Sequence, residues 1–284
     1  MKIGVTGASG QLGHIVVQQL LAKCPATDLV AIVRDSAKAA DLASTGVEIR
    51  VATYDDRASL DAALAGLDRL LLISSNEVGR RVPQHTNVID AAKAAGVKHF
   101  VYTSAPKATT SALVLAPEHK ATEEYLASSG LTYTILRNNW YTENYAQTIN
   151  KARETGAVVA AAGAGRVASA TRADYAEGAA AVLVGEGHEG KVYELGGDRA
   201  WDFHELAAAI AEVTGTPCSY QAVKQADVVA AMTRAGMDEG TAGFFAAVDG
   251  NIAEGALSET SGDLAKLIGR PTTPLKESVK KLVG

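Results

Sequence analysis

Several features that mark particular classes of protein are scarce in this 284-residue chain. The two cysteines, Cys24 and Cys218, are too few for a disulfide framework and lack metal-ligand spacing, so we expect both to be packing residues. Aromatic residues make up 5% of the chain, and no apolar run approaches the length of a membrane span. With a net charge of −5 and no basic run, the chain offers no electrostatic footprint for nucleic acid or an anionic membrane.

The remaining composition is that of an ordinary soluble globular protein, with 47% hydrophobic and 21% charged residues. At this length we expect one large α/β domain or a domain with a smaller lobe. The chain enters its first predicted strand without the basic segment and apolar core of a signal peptide. We therefore expect a cytoplasmic protein.

A glycine-rich turn follows the first predicted strand. Gly7, Gly10 and Gly13 recur at intervals of three residues, after a short β-branched run and before an apolar helix. Gly7 permits a tight turn, Gly10 lets backbone N–H groups approach a phosphate, and Gly13 allows close packing of helix on strand. The helix N-terminus adds partial positive charge. This order predicts a bound dinucleotide, although a glycine turn by itself is also compatible with a purely structural role.

The end of the second predicted strand indicates which dinucleotide. A site for NAD usually places an acidic side chain about twenty residues beyond the glycines, where it binds the ribose hydroxyls. Arg34 stands at that place. A guanidinium suits a ribose 2′-phosphate, so we predict NADPH as the cofactor. Two alternatives stay open: Asp35, the next residue, faces the ribose instead, or Arg34 is simply a surface residue.

Strand-like and helix-like patterns alternate over the first half of the chain. The predicted strands are 2–5, 29–33, 48–51, 70–73, 99–103 and 133–136, and the predicted helices are 11–22, 37–44, 59–64, 83–95 and 118–128. The strand cores are almost wholly apolar, notably LLLI at 70–73, which is typical of a parallel sheet covered on both faces. Gly96 is expected to end the fourth helix. The pattern predicts an α/β fold with a doubly wound parallel (Rossmann) sheet.

The rhythm changes after residue 137. The segment NNWYTENY at 138–145 and a Gly/Ala-rich stretch at 157–172 lead into irregularly alternating segments, predicted at 173–184, 191–195, 203–213 and 225–235. We therefore divide the chain into a dinucleotide-binding Rossmann core over 1–137 and a smaller C-terminal α/β lobe over 138–284. The lobe is expected to bind the substrate and to return some segments to the core.

Several segments together carry a family resemblance: VTGASGQLGH at 5–14, AIVRD at 31–35, LLLISSNEVG at 70–79, YTILRNNWYTENY at 133–145, SATRADYA at 169–176 and SGDLAKLIGRPTTPLKESV at 261–279. The chain resembles the NmrA-like branch of the short-chain dehydrogenase/reductase superfamily over essentially its full length. Within that branch it is most similar to the bacterial NADPH-dependent quinone oxidoreductases of type 2, with the triphenylmethane reductases as near neighbours.

The resemblance implies an NADPH site residue by residue. The cofactor contacts would be the turn residues Thr6, Gly7, Ala8, Ser9, Gly10, Gln11 and Leu12, the 2′-phosphate contact Arg34, and Ser74, Ser75, Asn76, Thr103, Asn138, Asn139, Trp140, Tyr141, Thr142, Glu143 and Ser169. Thr171 and Arg172 would complete the wall beside Ser169. No metal site is expected, because none of the histidines shows ligand spacing.

The catalytic Tyr-x-x-x-Lys pair of the wider superfamily is missing at its usual distance after Ser104. Its tyrosine position falls near Ala116, with Lys120 four residues later and no phenol for that lysine to assist. An alcohol dehydrogenase or a sugar epimerase is therefore not expected. A quinone is a better acceptor for such a site, because hydride transfer creates a phenolate-like anion whose conjugate acid has a pKa near about 10, so that water or a modest donor suffices.

We therefore predict an oxidoreductase that transfers a hydride from NADPH to a quinone or a similar planar acceptor by holding the two rings together. Ser104, His119 and Tyr141 are candidate catalytic residues, and Trp140, Tyr141 and Tyr145 are candidate walls for the acceptor. His119 is otherwise expected on a helix surface, and of the remaining histidines only His85 is expected near the cleft. The competing hypothesis is a non-catalytic NADP(H)-binding redox sensor of the NmrA type.

Overall fold

The strands of the computed structural model, which describes residues 1–284, are β1 Ile3–Thr6, β2 Leu29–Val33, β3 Glu48–Val51, β4 Arg69–Leu72, β5 His99–Ser104, β6 Tyr133–Asn138, β7 Ala157–Ala160, β8 Arg166–Val167, β9 Val192–Leu195, β10 Trp201–Asp202 and β11 Ser219–Ala222. The helices are α1 Gln11–Leu21, α2 Ala40–Ser44, α3 Arg57–Leu64, α4 Arg81–Ala94, α5 Ala116–Ser128, α6 Ala146–Thr155, α7 Arg172–Val184, α8 Phe203–Thr214, α9 Gln225–Arg234, α10 Glu239–Ala253, α11 Asp263–Ile268 and α12 Leu275–Val283.

Seven strands form one parallel sheet in the order β3-β2-β1-β4-β5-β6-β9. In its middle, Ile3 of β1 pairs with Leu29 of β2 on one side and with Arg69 of β4 on the other. The chain therefore winds away from β1 in two directions. The resulting crevice lies at the carboxyl ends of β1 and β4, which is where sheets of this kind bind ligands.

The doubly wound α/β fold predicted from the sequence is confirmed. The predicted strands 29–33 and 48–51 agree at both ends, and the other four differ by one or two residues at one or both ends. The helix predicted over 37–44 is wrong in its first half, because residues 36–39 form a 3-10 turn in which Asp35 Oδ1 accepts the Ala37 N–H at 3.0 Å. Gly96 follows the end of α4 with a left-handed φ of 71°, as expected of a helix terminator.

Apolar side chains pack into three clusters. One lies between the sheet and α1, α7 and α11, and a second lies between the sheet and α3, α4 and α5. The third is built on α6, α8, α10 and α12, around Trp201 and Phe203. Helix α7 and strand β9 follow the first segments of the third cluster in sequence but return to the sheet, where α7 packs against α1. The second half of the chain thus contributes to both the sheet and the third cluster.

Two small strand pairs accompany the third cluster, β7 with β11 in parallel and β8 with β10 antiparallel. No helix combines the length and the apolar character that a membrane crossing requires. No cluster of three or more His, Cys, Asp or Glu side chains is arranged to hold a metal ion.

Candidate dinucleotide site

The glycine turn closes tightly at the carboxyl end of β1. Gly7 has a φ of +60°, which favours glycine, and its carbonyl oxygen accepts the Gly10 N–H at 2.9 Å. A Cβ on Gly13 would lie 2.3 Å from that same oxygen, so the helix approaches the turn more closely than any side chain allows. The predicted roles of Gly7 in the turn and of Gly13 in close packing agree with this geometry.

Helix α1 begins without a protein cap. Gly10 has no side chain to cap it, the first turn holds no acidic residue, and the N–H groups of Gln11, Leu12 and Gly13 have no acceptor within the chain. Unpaired N–H groups at a helix N-terminus form a binding site for an anion such as a diphosphate. The residues present therefore fit the diphosphate of a dinucleotide.

A hydroxyl network joins this turn to the next strand of the crevice. Thr6 Oγ1 donates to the Leu71 carbonyl at 3.1 Å and accepts the Ile73 N–H at 3.1 Å. The Tyr54 hydroxyl lies 2.6 Å from Thr6 Oγ1 and 2.8 Å from the Ile73 carbonyl. Burial raises the pKa of Tyr54 above its usual range, so this phenol stays protonated. Tyr54 was missed from the sequence because it follows β3 in an otherwise polar segment.

Arg34 extends from the end of β2 toward the loop after β4. Its side chain is 68% exposed, and its Nη1 lies 3.3 Å from Glu77 Oε1. Glu77 also pairs with Arg80 at 3.2 Å, and Arg80 pairs with Asp55 at 2.8 Å. Asp35 points instead into its own turn, where it caps the Ala37 N–H. Of the two candidates at this strand end, Arg34 is thus the one whose side chain is exposed and accessible to a phosphate.

The loop after β4 is held from two sides at Ser75. The Ser75 N–H donates to His85 Nε2 at 2.9 Å, and the Ser75 carbonyl accepts from Arg81 Nε at 2.6 Å. The neighbouring Ser74 N–H donates to Thr103 Oγ1 at 2.9 Å. His85 and Arg81 are both buried at the start of α4. The sequence placed His85 near the cleft, and the structure gives it the specific task of holding the loop.

His85 belongs to a buried polar cluster with Tyr102, His119 and Thr122. The Tyr102 hydroxyl lies 2.7 Å from His119 Nδ1, and His85 Nδ1 lies 3.0 Å from Thr122 Oγ1. Burial, with the nearby Arg81 charge adding to it, lowers the pKa of each histidine to about 3. The expectation of His119 on a helix surface is wrong, since its side chain faces the sheet, and a neutral buried imidazole is not favoured as the proton donor.

The Ser104 hydroxyl is already occupied. It donates to Glu123 Oε1 at 2.6 Å, and Glu123 is itself paired with Arg137, whose Nη2 lies 2.6 Å from Oε2. Arg137 also pairs with Glu194 at 2.8 Å. This network ties β5, β6 and β9 to α5 at the carboxyl ends of the strands. The geometry therefore favours a structural role for Ser104 over a contact with the cofactor or the acceptor.

The residues at the end of β6 and directly after it make contacts in two directions. Asn138 Nδ2 donates to the Tyr141 hydroxyl at 3.3 Å, while the buried Asn138 Oδ1 has no partner. The Arg172 guanidinium stacks over the Tyr141 ring, 4.7 Å from its centroid. Asn139, in contrast, donates to the Leu257 carbonyl at 3.2 Å within the second half of the chain. An orphaned amide oxygen beside an aromatic ring fits the polar end of a nicotinamide.

The other predicted residues of this segment contact the third cluster. Trp140 packs at its edge, and Tyr145 is buried against Trp201 and Phe203, with centroid distances of 5.1 and 5.8 Å. Tyr145 is therefore a core residue, and the geometry does not place it as a wall for an acceptor. Glu143 accepts the Arg172 N–H at 2.9 Å. The assignments of this segment to cofactor binding stay predictions.

Comparison with known proteins gives consistent results. Residues 7–185 match the model of a family described as NAD(P)H-binding. The chain is 52% identical to quinone oxidoreductase 2 of Escherichia coli K12, over 99% of this chain and 98% of that protein. The solved structure of the E. coli NADPH-dependent quinone oxidoreductase with NADPH superimposes with a TM-score of 0.96, over 99% of this chain and 100% of that one. Triphenylmethane reductase of Citrobacter sp. with NADP(H) also gives 0.96, at 43% identity, 99% coverage of this chain and 100% of that one.

Proposed function

Because this chain belongs to the NAD(P)H-binding family, we propose that it is an NADPH-dependent quinone reductase, which transfers a hydride from NADPH to a quinone or a similar planar acceptor. The full-length similarity to quinone oxidoreductase 2 carries the proposal. The similarity spans 99% of this chain and 98% of that protein, so it includes both the cofactor cleft and the second half of the chain.

The chain's own groups divide the work of binding. The uncapped N–H groups of Gln11, Leu12 and Gly13 bind the diphosphate, and Arg34 binds the ribose 2′-phosphate. In this structure the Glu77 carboxylate pairs with Arg34. When the phosphate binds, Arg34 either contacts both Glu77 and the phosphate or leaves Glu77. The Ser75 loop lines the cleft, and His85 and Arg81 hold its backbone in place. When bound, NADPH supplies the hydride.

The chain promotes the reaction by holding the two reacting rings in position, and it needs no dedicated proton donor. Asn138 offers its unpartnered Oδ1, and Tyr141, braced by Arg172, confines a ring beside it. Near-attack geometry requires reacting atoms about 3 to 3.5 Å apart, so rigid neighbours contribute directly to rate. The chain has Tyr-x-x-x-Lys spacing at Tyr220 and Lys224, on and just after β11, but not at the catalytic position of the wider superfamily. Its absence there fits an acceptor whose anion water is able to protonate.

The assignment of regions follows from the same proposal. Residues 1–137 form the cofactor-binding core, apart from Ala105, Leu113 and Ala116, which join the third apolar cluster. The rest of that cluster forms the substrate-binding lobe within 138–284, with α7, β9 and α11 returned to the sheet. A quinone is the proposed small-molecule partner. The two free cysteines suit a cytoplasmic location, where thiols stay reduced.

The test is NADPH oxidation with a panel of quinones, followed at 340 nm, with hydroquinone measured as the product. We expect quinone-dependent oxidation with one hydroquinone formed for each NADPH, and a weaker response to NADH. Tight NADPH binding without oxidation by any quinone, azo dye or triphenylmethane dye would contradict the proposal and favour the redox sensor. No contact in the structure favours the sensor.

A further inference from the structure

A cavity of about 550 Å³ opens beside the segment after β6. Its floor holds Thr142 and Ser169, and its sides come from the loop 197–201, from α8 and from residues 271–276. This volume falls within the range of small-molecule sites, roughly 300 to 1,000 Å³. The cavity therefore lies between the predicted end of the cofactor site and the third apolar cluster, and neither the glycine turn nor Arg34 contributes to it.

One hydrogen at the floor of this cavity has no acceptor in the chain. Trp201 Nε1 is a donor only, so it donates to Ser169 Oγ at 2.9 Å. Ser169 Oγ lies 2.8 Å from Thr142 Oγ1, and neither hydroxyl has another side-chain partner. Between these two oxygens only one hydroxyl hydrogen is used, whichever group donates it. The other hydroxyl hydrogen is left for a ligand, although both side chains are more than nine-tenths buried, with exposures of 3% and 6%.

The walls are suited to an uncharged ring. Trp201, Pro271, Pro274 and Leu275 supply apolar surface inside the cavity. At its rim, Lys276 pairs with Glu212 and Arg199 pairs with Glu205, while the remaining carboxylate, Asp198, accepts the Thr272 N–H at 2.8 Å. A charged ligand would have to break these pairs, whereas a quinone brings an apolar ring and a carbonyl oxygen that accepts one hydrogen bond.

We propose that this cavity binds the electron acceptor of the reaction, and that the Thr142–Ser169 hydroxyl pair donates its unused hydrogen to one quinone oxygen. The inference rests on the proposed function. Reduction adds a hydride from NADPH and one proton from water to the quinone, which becomes a hydroquinone while NADPH becomes NADP⁺. The hydroxyl stabilises the oxygen that gains negative charge before that proton arrives, which is the task of an oxyanion donor.

Filling the cavity tests its occupant. Ala208 is an exposed residue of α8 that lines the cavity, and Ala230 is an exposed residue of α9 that does not. We expect A208F to raise the KM for duroquinone at least about tenfold, because it removes the space for the ring, and to leave the Kd for NADPH unchanged. The matched variant A230F is expected to keep both values.

Binding without turnover gives a second readout. Trp201 is one of two tryptophans, and it lies at this cavity. Without NADPH, duroquinone is expected to quench tryptophan fluorescence in a saturable manner in the wild type and in A230F, but not in A208F. Equal quenching in all three proteins would overturn the proposal. An A208F variant that weakens NADPH binding as much as quinone turnover would also overturn it, since the cavity would then hold the cofactor.

The donor is tested by the double variant T142V/S169A, because either single variant leaves one hydroxyl able to donate. We expect kcat/KM for duroquinone to fall by about 10²-fold, the usual effect of losing one oxyanion donor, whereas an equal rise in the Kd for NADPH would assign both hydroxyls to the cofactor instead. A double variant with wild-type kcat/KM would refute the donor. If the wild type reduces no quinone, the proposed function fails; if it does and A208F behaves as wild type, only the cavity assignment fails.

Discussion

His85 Nε2 accepts the Ser75 N–H at 2.9 Å, from a ring that is wholly buried. Because that nitrogen accepts, it carries no proton, and the imidazole holds the loop only in its neutral form. H85L removes the acceptor and leaves a buried N–H without a partner. We predict that H85L raises the Kd for NADPH about tenfold with a smaller effect on kcat, measured by NADPH fluorescence and by steady-state kinetics.

H85Q is the matched control for this prediction, because its amide oxygen reaches about as far as Nε2. It is expected to recover most of the NADPH affinity. If H85L and H85Q lose the same affinity, or if only the free energy of unfolding changes, His85 supports the core and does not position the cofactor loop.

Arg34 determines the preference for NADPH over NADH in this account. Hydrogen bonds to charged groups are worth about 1.5 to 3 kcal/mol, and Arg34 is exposed, so the lower end of this range applies. R34A is therefore predicted to weaken NADPH binding by about 1.5 kcal/mol and to change NADH binding little. Isothermal titration with both cofactors checks this. The half-buried Arg57 of α3, which pairs with Asp61, provides the control variant R57A. Equal losses for NADPH and NADH in R34A would refute the role.

The glycine turn makes a separate prediction. Gly10 has an ordinary φ of −84°, and a Cβ there would lie 3.1 Å from the Gly7 carbonyl oxygen, so a side chain is crowded but its backbone is not strained. G10V should fold and lose NADPH binding, because its branched side chain occupies the space before the uncapped N–H groups. Gly243, where a Cβ would meet nothing within 4 Å, supplies the control G243V. NADPH affinity retained in folded G10V would show that the diphosphate binds elsewhere.

Two buried histidines make stability depend on pH. The pKa of His85 and of His119 falls to about 3 in the folded protein, below the ordinary value of 6.5, because burial disfavours the charged ring. The unfolded chain therefore binds more protons below pH 6.5, and folding stability is complete above that pH and declines as the pH falls toward 3. Each histidine contributes up to about 1.4 kcal/mol per pH unit in that window.

Urea unfolding between pH 7 and pH 5 measures this slope. H119F, which keeps a ring of similar size, is predicted to be less stable at pH 7 but to show a slope smaller by one proton. The exposed His204 supplies the control H204F, which should keep the wild-type slope. An unchanged slope in H119F would mean that His119 takes up its proton over the same pH range in the folded and the unfolded protein.

The strands of the sheet could be predicted because their pattern identifies them without knowledge of the residues that pack against them. A run such as LLLI at 70–73 is apolar at every position, and both faces of a parallel sheet are covered, so the pattern alone identifies a buried strand. The glycine turn was predictable for a similar reason, since φ above zero at Gly7 and the contact at Gly13 are properties of glycine itself.

The buried face of α5 was not predictable in this way. His119, Thr122, Glu123 and Leu126 recur at helical spacing and all face the sheet, yet three of the four are polar. Their burial depends on partners distant in sequence, namely Tyr102 and His85 for the histidine cluster and Arg137 for Glu123. The apolar periodicity of α5 therefore predicts a surface helix. Arg81 was missed for the same reason, because its partner is the Ser75 carbonyl.

The cavity beside Thr142 could not be predicted from the sequence either. Thr142 on its floor and residues 271–276 on its side are more than 100 residues apart along the chain, and the sides meet only when α12 packs on α8. The family resemblance predicts that Thr142 and Ser169 belong to one cofactor wall. The hydrogen bond from Trp201, which leaves one hydroxyl hydrogen unused, depends on the folded arrangement and could not be predicted.

The central claim is that positioning, and not a dedicated phenolic acid, drives quinone reduction. Tyr125 lies between α5 and α4, where its hydroxyl donates to Asp90 at 2.8 Å, whereas Asn138 Nδ2 donates to the Tyr141 hydroxyl at the carboxyl end of β6. The most direct measurement is kcat/KM for benzoquinone in Y125F, N138A and Y141A. We predict a change within about threefold for Y125F, since losing a true general acid costs roughly 10² to 10⁴-fold, and larger losses for the other two. A large loss in Y125F with little effect of N138A and Y141A would contradict the account.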